Sequence, residues 1–351
     1  MTHNKKRHLS KKQQENIHRN RQSIIQRKQE KHNKELSNIE SFVADNQQTL
    51  EIHKGIIISR YGKSADVMPL NDDCFTDSYV RCFMKASLDD LVVGDIVYYY
   101  QINEQQYFIV EKEERFNLIS RYYFNKERNV VANVSTMIIT SSINPVLNTE
   151  IIDRYLIVAE NCKVKPLIII NKVDLIDNPE QQLEVERIIN YYHELGYTIF
   201  ATSTKTHLNI DKIISQLDQG IHIFVGQTGV GKSSLINAIF GKELMLTGEI
   251  NSDTRLGKHT TTTSRLFKIN DHSALIDSPG IREFSVDNYT EQEVIYGYKE
   301  LRDPNYACRF SDCNHHNNLG CGIQRIHAEN KIADFRYQNL LHLLNIDKSD
   351  K

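Results

Sequence analysis

Apolar and polar positions follow two different patterns along the chain. Between about residues 51 and 125, short runs of β-branched and aromatic residues alternate with polar turns, as in GIIIS, VRCFMKA, LVVGDIVYYYQ and QYFIVEKE. Such runs are typical of strands. Several short strands in so small a segment predict a β-barrel of the OB type, with an SH3-like barrel as the alternative.

The pattern changes at about residue 130 and holds to about residue 290. Apolar runs such as VSTMIITSSI, KPLIIINK and IHIFVG alternate with helical patterns such as IIDRYLIVAENC. Helices are expected near 180–195 and 209–218 and through SSLINAIFG. Strands alternating with helices predict a mostly parallel sheet covered by helices.

Charge is distributed unevenly between the N-terminal arm and the rest of the chain. Residues 1–34 hold eleven Lys and Arg against two Glu, which is a net charge of +9. Because the formal net charge of the whole chain is -2, residues 35–351 carry a net charge of -11. The arm, residues 1–50, has few apolar positions and is predicted to be disordered or helical. We expect it to bind a polyanion such as RNA, the alternative being a solvated tail. Residues 51–128 hold ten basic and thirteen acidic side chains, so RNA binding by the barrel requires a local patch.

Composition limits the class of protein. Hydrophobic residues make up 40% and charged residues 25% of the 351 residues, which is typical of a soluble globular protein. No apolar run approaches the roughly 20 residues that span a bilayer, and no hydrophobic stretch follows the basic N-terminus, as a secretory signal requires. We therefore expect a cytoplasmic protein without membrane contact; a mitochondrial transit peptide is the alternative.

Residues 226–233, the phosphate loop, read GQTGVGKS and match G-x-x-x-x-G-K-S. They stand between an apolar strand and an amphipathic helix, which is the context that the motif requires. Backbone N–H groups of such a loop surround the phosphates, Lys232 reaches the terminal phosphates, and the Ser233 hydroxyl binds Mg²⁺. The chain is predicted to bind a nucleoside triphosphate.

Residues 171–174, the base-reading segment, read NKVD and directly follow the strand LIII. The Asp174 carboxylate is suited to accept hydrogen bonds from N1–H and the exocyclic amine of guanine, while Asn171 and Lys172 brace the pocket. Alone, the tetrapeptide could be an ordinary turn. Together with the phosphate loop and a further strand end, ATS at 201–203, it predicts GTP and GDP as ligands.

Two further segments lie between the phosphate loop and the C-terminal region. Residues 277–280 read DSPG and match the motif that holds Mg²⁺ through water and senses the terminal phosphate. Residues 258–263, the threonine run, read KHTTTT and are suited to a switch loop that orders around Mg²⁺, with Thr261 as a second Mg²⁺ ligand beside Ser233. Plain β-propensity is the alternative explanation of the threonines. The predicted nucleotide-binding residues are Asn171, Lys172, Val173, Asp174, Gly226, Gln227, Thr228, Gly229, Val230, Gly231, Lys232, Ser233, Ser234, Asp277 and Gly280.

The order of these segments is unusual, because the base-reading segment precedes the phosphate loop. The order predicts a circularly permuted GTPase domain, in which the old termini are joined and new ones are opened elsewhere. Sheet packing depends on which strands are neighbours, so a permuted chain keeps the same pocket.

A cluster of cysteine and histidine follows the D-x-P-G segment. Cys308, Cys313, His315 and Cys321, the metal cluster, offer three thiolates and one imidazole, the set of a closed structural zinc site. His316 is the competing imidazole. A helical tail, FRYQNLLHLL, completes a predicted C-terminal zinc-binding module over residues 291–351.

Taken in order, LSKKQQENIHRNRQ, VVGDIV, IDRYLIVAE, NKVDL, GQTGVGKSSLINA, GKHTTTTSRL, DSPGIREF and the cysteine cluster resemble the ribosome small-subunit-dependent GTPase A (RsgA) family, also called YjeQ. The resemblance implies a multidomain α/β chain: an N-terminal OB-type barrel (51–125), a circularly permuted P-loop GTPase domain (130–290) and a C-terminal zinc-binding module with helices (291–351). Its zinc motif has the same intervals as the metal cluster.

The resemblance also implies an activity and a partner. Members act late in assembly of the 30S subunit and hydrolyse GTP when bound to it, which makes 16S rRNA the expected contact of a monomeric factor. Ile281, after D-x-P-G, has no side chain that orients water, and the family is thought to use the histidine of the threonine run, here His259, as the catalytic group together with Lys232. His259 packing or contacting RNA is the alternative.

Other functions stay open at this point. An RNA-binding scaffold could use GTP only as a structural ligand, and a permuted GTPase could act on the large subunit, although such factors generally lack this zinc pattern. Ser135 stands where members of the family usually carry Asp, so a diverged paralogue is a further alternative.

Overall fold

The structure is a computed structural model, which describes residues 37–46, 50–123, 126–240, 264–277, 289–310, 313, 315 and 319–344. Several predicted features lie outside the described residues. These are the basic arm up to residue 36, His259 and Thr261 of the threonine run, Gly280, Ile281 and His316.

The N-terminal part of the described chain is a barrel preceded by a helix, α1 (37–46). Its strands are β1 (Ile52–Tyr61), β2 (Ser64–Asn71), β3 (Cys74–Phe75), β4 (Val80–Met84), β5 (Ile96–Asn103) and β6 (Gln106–Lys112). The order β1-β5-β6-β4-β2 is closed by pairing of β1 with β2, and β4 runs parallel to β6. This five-stranded closed barrel confirms the OB-type prediction.

The barrel is closed around apolar side chains and covered at one side by α1. Ile57, Val67 and Ile109 lie fully buried in its interior. Ile39 and Val43 of α1 pack with barrel side chains in a separate cluster. The end of the predicted arm is therefore a helix that packs on the barrel.

A two-stranded hairpin follows the barrel, formed by β7 (Leu118–Tyr123) and β8 (Lys126–Ala132). The pattern of apolar residues predicted no strands at these positions. The domain boundaries set from the sequence, at 125, 130 and 290, stay predictions.

The central sheet has six strands. They are β9 (Thr136–Ser142), β10 (Lys165–Asn171), β11 (Thr198–Ala201), β12 (Gly220–Val225), β13 (Arg265–Asn270) and β14 (Ser273–Asp277). Their order is β11-β10-β9-β12-β14-β13, and every neighbouring pair is parallel except β13 with β14. The mostly parallel sheet is confirmed, and β9, the first of these strands in the chain, lies inside it.

Helices cover both faces of this sheet. They are α2 (Thr149–Asn161), α3 (Pro179–Glu194), α4 (Ile210–Ile214), which is shorter than expected, and α5 (Lys232–Phe240). Alternate residues of a strand point to opposite faces. In β10, Ile168 and Ile170 belong to the cluster under α2 and α3, whereas Leu167 and Ile169 belong to the cluster under α4 and α5.

The C-terminal part consists of short helices. They are α6 (Glu291–Tyr296), two 3₁₀ turns (Lys299–Arg302 and Pro304–Tyr306), α7 (Gly322–Ala328) and α8 (Asp334–Leu343). Of these, α6 and α8 pack on α2. No helix in the described ranges has both the length and the apolar character that crossing a bilayer requires.

A buried ion-pair network joins α8 to the GTPase helices. The fully buried guanidinium of Arg336 pairs with Asp153 of α2 and donates to both carboxylate oxygens of Glu300 at 3.0 and 2.9 Å. Asp153 also accepts from Tyr192 of α3 and from Asn339 at 2.6 Å. Burial alone would lower the pKa of Arg336, but Asp153 and Glu300 hold that pKa well above its usual value.

We expect Arg336→Met to lower the free energy of unfolding by about 3–5 kcal/mol, because it leaves two buried carboxylates without their cation. Urea unfolding followed by circular dichroism measures the loss. Arg187→Met, at an exposed position of α3, is the control and should change stability by less than about 0.5 kcal/mol. Equal losses in the two variants would contradict the role of the network.

Candidate nucleotide and metal sites

The phosphate loop connects the central strand β12 to α5. Its three glycines have positive φ angles, +134° at Gly226, +84° at Gly229 and +96° at Gly231. A Cβ atom at Gly226 would lie 2.1 Å from the carbonyl oxygen of Thr140 in β9. The loop therefore needs glycine both for its backbone conformation and for its close approach to the neighbouring strand.

Lys232 lies at the start of α5 and folds back over the loop. Its Nζ donates to the carbonyl oxygen of Gly226 at 2.7 Å and also to that of Gln227. Ser233 and Ser234 follow in the first turn of α5, both half-buried. The lysine ammonium is thus placed at the mouth of the loop, where phosphate groups would bind.

The base-reading segment contacts the phosphate loop directly. The Asn171 amide Nδ2 donates to the carbonyl oxygen of Val230 at 3.0 Å, and Lys172 Nζ donates to that of Gly229 at 2.5 Å. Val173 and Asp174 follow in a single 3₁₀ turn, with Asp174 exposed. Two segments that are distant in the sequence, and that stand in an unusual order, therefore lie against each other where the nucleotide cleft is expected.

The end of β11 supports this cleft from the other side. The buried Thr202 hydroxyl donates to Asn171 Oδ1 at 3.2 Å, and the Thr202 carbonyl accepts from the N–H of Val173 at 3.1 Å. Lys172 Nζ also donates to the carbonyl oxygen of Asn144, after β9, at 2.6 Å. The sequence predicted the strand end 201–203 but not Asn144, because Asn144 contributes through its backbone and so has no side-chain signature.

Asp277 is the last residue of β14, beside β12, and lies opposite Arg265 of β13. Because β14 and β12 are parallel neighbours, their carboxyl ends share one edge of the sheet with the phosphate loop. The predicted roles of Gly280, His259 and Thr261, outside the described residues, stay predictions.

The four residues of the metal cluster converge in the C-terminal part. The three cysteine sulfurs lie 3.5, 3.6 and 3.5 Å from His315 Nδ1, in the order Cys308, Cys313 and Cys321. All four ligand atoms lie within 4.8 Å of one another. Around a tetrahedral zinc ion, bond lengths of about 2.3 Å to sulfur and 2.05 Å to nitrogen give a sulfur–nitrogen separation of about 3.6 Å. The donor set and its spacing fit zinc.

The protein around the cluster favours a bound cation. Burial raises the pKa of the Cys321 thiol to about 12, so a thiolate at this position needs a nearby positive charge. The N–H of Gly322 lies 3.3 Å from Cys308 Sγ, and His315 Nε2 lies 2.7 Å from Glu291 Oε1. Glu291 has no spacing signature and was missed by the sequence analysis.

Comparison with known proteins decides the family. A model of the RsgA GTPase family matches residues 112–287. Over 299 residues the chain is 39% identical to a protein named small ribosomal subunit biogenesis GTPase RsgA from Haemophilus influenzae (strain PittGG). The aligned residues cover 84% of this chain and 85% of that relative. The chain belongs to the RsgA GTPase family. It is a GTP-hydrolysing enzyme, as the sequence predicted.

Solved structures agree with the fold. The crystal structure of YjeQ from Thermotoga maritima matches with a TM-score of 0.68 at 27% identity, over 86% of this chain and all of that one. The structure of YloQ, described as a circularly permuted GTPase, matches with a TM-score of 0.66 at 22% identity, over 86% of this chain and 96% of that one. The predicted permuted GTPase fold is confirmed.

We expect Gly231→Ala to weaken GTP binding at least about tenfold, equal to about 1.4 kcal/mol. An added Cβ would lie 2.4 Å from Asn171 Nδ2, at a φ of +96°, so it strains the loop and displaces the base-reading segment together. Titration with a fluorescent GTP analogue measures the affinity.

Gly196→Ala is the matched control for this substitution. Gly196 also has a positive φ, +77°, but a Cβ added there would have no heavy atom within 4 Å. The control therefore introduces the backbone strain, roughly 1–2 kcal/mol, without the collision and should bind GTP normally. Unchanged affinity in Gly231→Ala would contradict the contact between the two segments.

Proposed function

We propose that this chain is a Mg²⁺-dependent GTPase that assists late maturation of the 30S ribosomal subunit, binding the particle in the GTP state and leaving after hydrolysis. The observation that carries the proposal is the contact of Asn171 with Val230, which joins a guanine-reading segment to a phosphate loop. The choice of the small ribosomal subunit as the particle is supported by the names of the relatives. We propose a cytoplasmic, monomeric factor without membrane contact.

Each residue that we assign to hydrolysis has a separate role. Lys232 balances the charge that develops on the transferred phosphate. Ser233 and Thr261 are the residues we assign to hold Mg²⁺, which would screen the negative charge of the phosphate groups. His259 is the residue we assign to orient the attacking water, since Ile281 has no group that could do so.

The barrel contacts β13 and the turn between β13 and β14, which lie between the threonine run and Asp277 in the sequence. The N–H of Phe75 in β3 donates to the carbonyl oxygen of Asp271, in the β13–β14 turn, at 2.7 Å. Lys268 of β13 bridges Asp77 of the barrel at 3.1 Å and Asp271 at 2.8 Å. Because β13 begins just after the threonine run and β14 ends at Asp277, a particle that shifts the barrel would also shift both switch segments. These contacts support hydrolysis stimulated by docking.

One face of the barrel offers a local site for 16S rRNA despite the acidic balance of the barrel. Tyr61 and Tyr79 are 43% and 54% exposed, and the Arg81 guanidinium carbon lies 4.7 Å from the ring centroid of Tyr61. Aromatic and guanidinium faces stack on unpaired bases, at about 1–3 kcal/mol per base. We propose that this patch and the basic arm contact 16S rRNA.

Zinc has a structural role in this proposal. Cys308, Cys313, His315 and Cys321 would hold one ion in a closed tetrahedral set, which leaves no position for a substrate. The ion would keep the short C-terminal elements in one arrangement on the GTPase helices.

Single-turnover GTP hydrolysis with and without purified 30S particles tests the function. We expect 30S particles to raise the rate at least about tenfold, equal to about 1.4 kcal/mol of activation free energy, and 50S particles to leave it unchanged. Lys232→Ala is the control and should be inactive with and without particles.

Two other outcomes would contradict the proposal in different ways. Hydrolysis that no particle stimulates would favour an RNA-binding scaffold with GTP as a structural ligand, and stimulation by 50S particles would favour a large-subunit factor. Co-sedimentation with 30S in GDP and in a non-hydrolysable GTP analogue tests the cycle. Equal binding to 30S particles with either nucleotide would contradict a nucleotide-dependent switch.

A further inference from the structure

The two ring nitrogens of His315 face different partners. Nδ1 lies 3.5–3.6 Å from all three cysteine sulfurs. Nε2 points the other way and lies 2.7 Å from Glu291 Oε1. A histidine that binds metal through one nitrogen carries its proton on the other, so Nε2–H is the donor and the Glu291 carboxylate is the acceptor.

The backbone around Glu291 is fixed independently of the metal cluster. Glu291 is the first residue of α6, and the side chain of Thr290, just before it, accepts from the N–H of Glu293 at 3.3 Å. Glu293 in turn accepts from the N–H of Thr290 at 2.7 Å. This reciprocal capping defines the start of the helix and fixes the backbone from which the Glu291 side chain, 55% exposed, reaches the imidazole.

His315 needs a fixed orientation. Its side chain is only 5% exposed and its φ is +59°, a left-handed conformation that is uncommon outside glycine. Rotation of the ring would turn Nδ1 away from the three sulfurs and leave a buried N–H without its acceptor. Gln324 Nε2 donates to the His315 carbonyl oxygen at 3.3 Å and holds the backbone, whereas Glu291 holds the ring.

We propose that Glu291 is a positioning residue of the metal site: its carboxylate accepts a hydrogen bond from His315 Nε2–H, directs the Nδ1 lone pair to the metal and makes the imidazole a stronger ligand. The inference rests on the proposed zinc site. Such outer carboxylates typically change metal affinity about 10- to 100-fold when they are removed.

The place of Glu291 in the chain gives the contact a second consequence. It stands 14 residues after Asp277, in the first helix that the structure describes beyond that residue. On its other side, α6 is tied to α2 by Asn161 Nδ2, which donates to the Glu293 carbonyl oxygen at 2.9 Å. Glu291 thus connects the metal site to α6 and, through α6, to α2 of the GTPase domain.

Zinc affinity of the full chain, measured by competition with a chromogenic chelator, tests the proposal. We expect Glu291→Ala to bind zinc about 10- to 100-fold more weakly than the wild type. Glu291→Gln keeps an acceptor without the charge and should fall between the two. The absorption spectrum of the Co²⁺-loaded protein should shift in Glu291→Ala and be largely restored in Glu291→Gln.

Glu329→Ala is the matched control. The Glu329 carboxylate lies in the same module, but it accepts from the Tyr306 hydroxyl at 2.8 Å instead of from the metal cluster. It should keep wild-type zinc affinity, and all three variants should keep wild-type affinity for GTP.

The outcomes separate the inference from the function on which it rests. If the wild type binds zinc and Glu291→Ala binds zinc as tightly as Glu329→Ala does, the role of Glu291 alone would be overturned. A wild-type chain that binds no zinc would overturn the zinc site and the role of Glu291 with it, while leaving the GTPase proposal standing.

Discussion

The proposed nucleotide site depends on one hydrogen bond between the end of β10 and the phosphate loop, from the Asn171 amide to the Val230 carbonyl. It brings the base-reading segment against the phosphate loop, and Lys172 extends the contact to Gly229. Parallel strands deliver their carboxyl ends to one edge of a sheet, so the order of β10, β9, β12 and β14 across the sheet, not along the chain, assembles the cleft. Chain order is free to change as long as those neighbours are kept.

The permutation changes what the switch segments are joined to. The turn between β13 and β14 touches the barrel through Asp271, and the segment after Asp277 leads to α6 and Glu291 beside the metal cluster. The buried Arg336 then ties α8 to α2 and the 3₁₀ turn that follows α6. The barrel therefore contacts the β13–β14 turn, and the C-terminal module contacts α2, each through defined polar groups. In the proposed function, these contacts transmit docking to the nucleotide site.

Local pattern and local motif predicted most of the fold and the nucleotide cleft. The run of isoleucines in β10 reads as a buried strand because both faces are covered, and the phosphate loop carries its glycines within a single short motif. Contacts between distant parts of the chain have no such signature. Asn144 contributes through its backbone carbonyl, and Glu291 contributes through one carboxylate oxygen. Arg336 pairs with two carboxylates, which lie 183 and 36 residues away in the sequence. Ser135, a departure from the family pattern, proves to accept a hydrogen bond from the N–H of Ile221 at 3.3 Å and so fits its place between strands.

Exchange of base specificity is the most direct test of the shared cleft. In the proposed site the Asp174 carboxylate accepts two hydrogen bonds from guanine, whereas an asparagine offers one acceptor and one donor, which match N1–H and O2 of xanthine. Asp174→Asn should lose GTP affinity at least about tenfold and gain affinity for xanthosine triphosphate, and Lys232→Ala in the same background should lose both nucleotides. Asp174→Asn that binds GTP as the wild type does, with no gain for xanthosine triphosphate, would contradict the account.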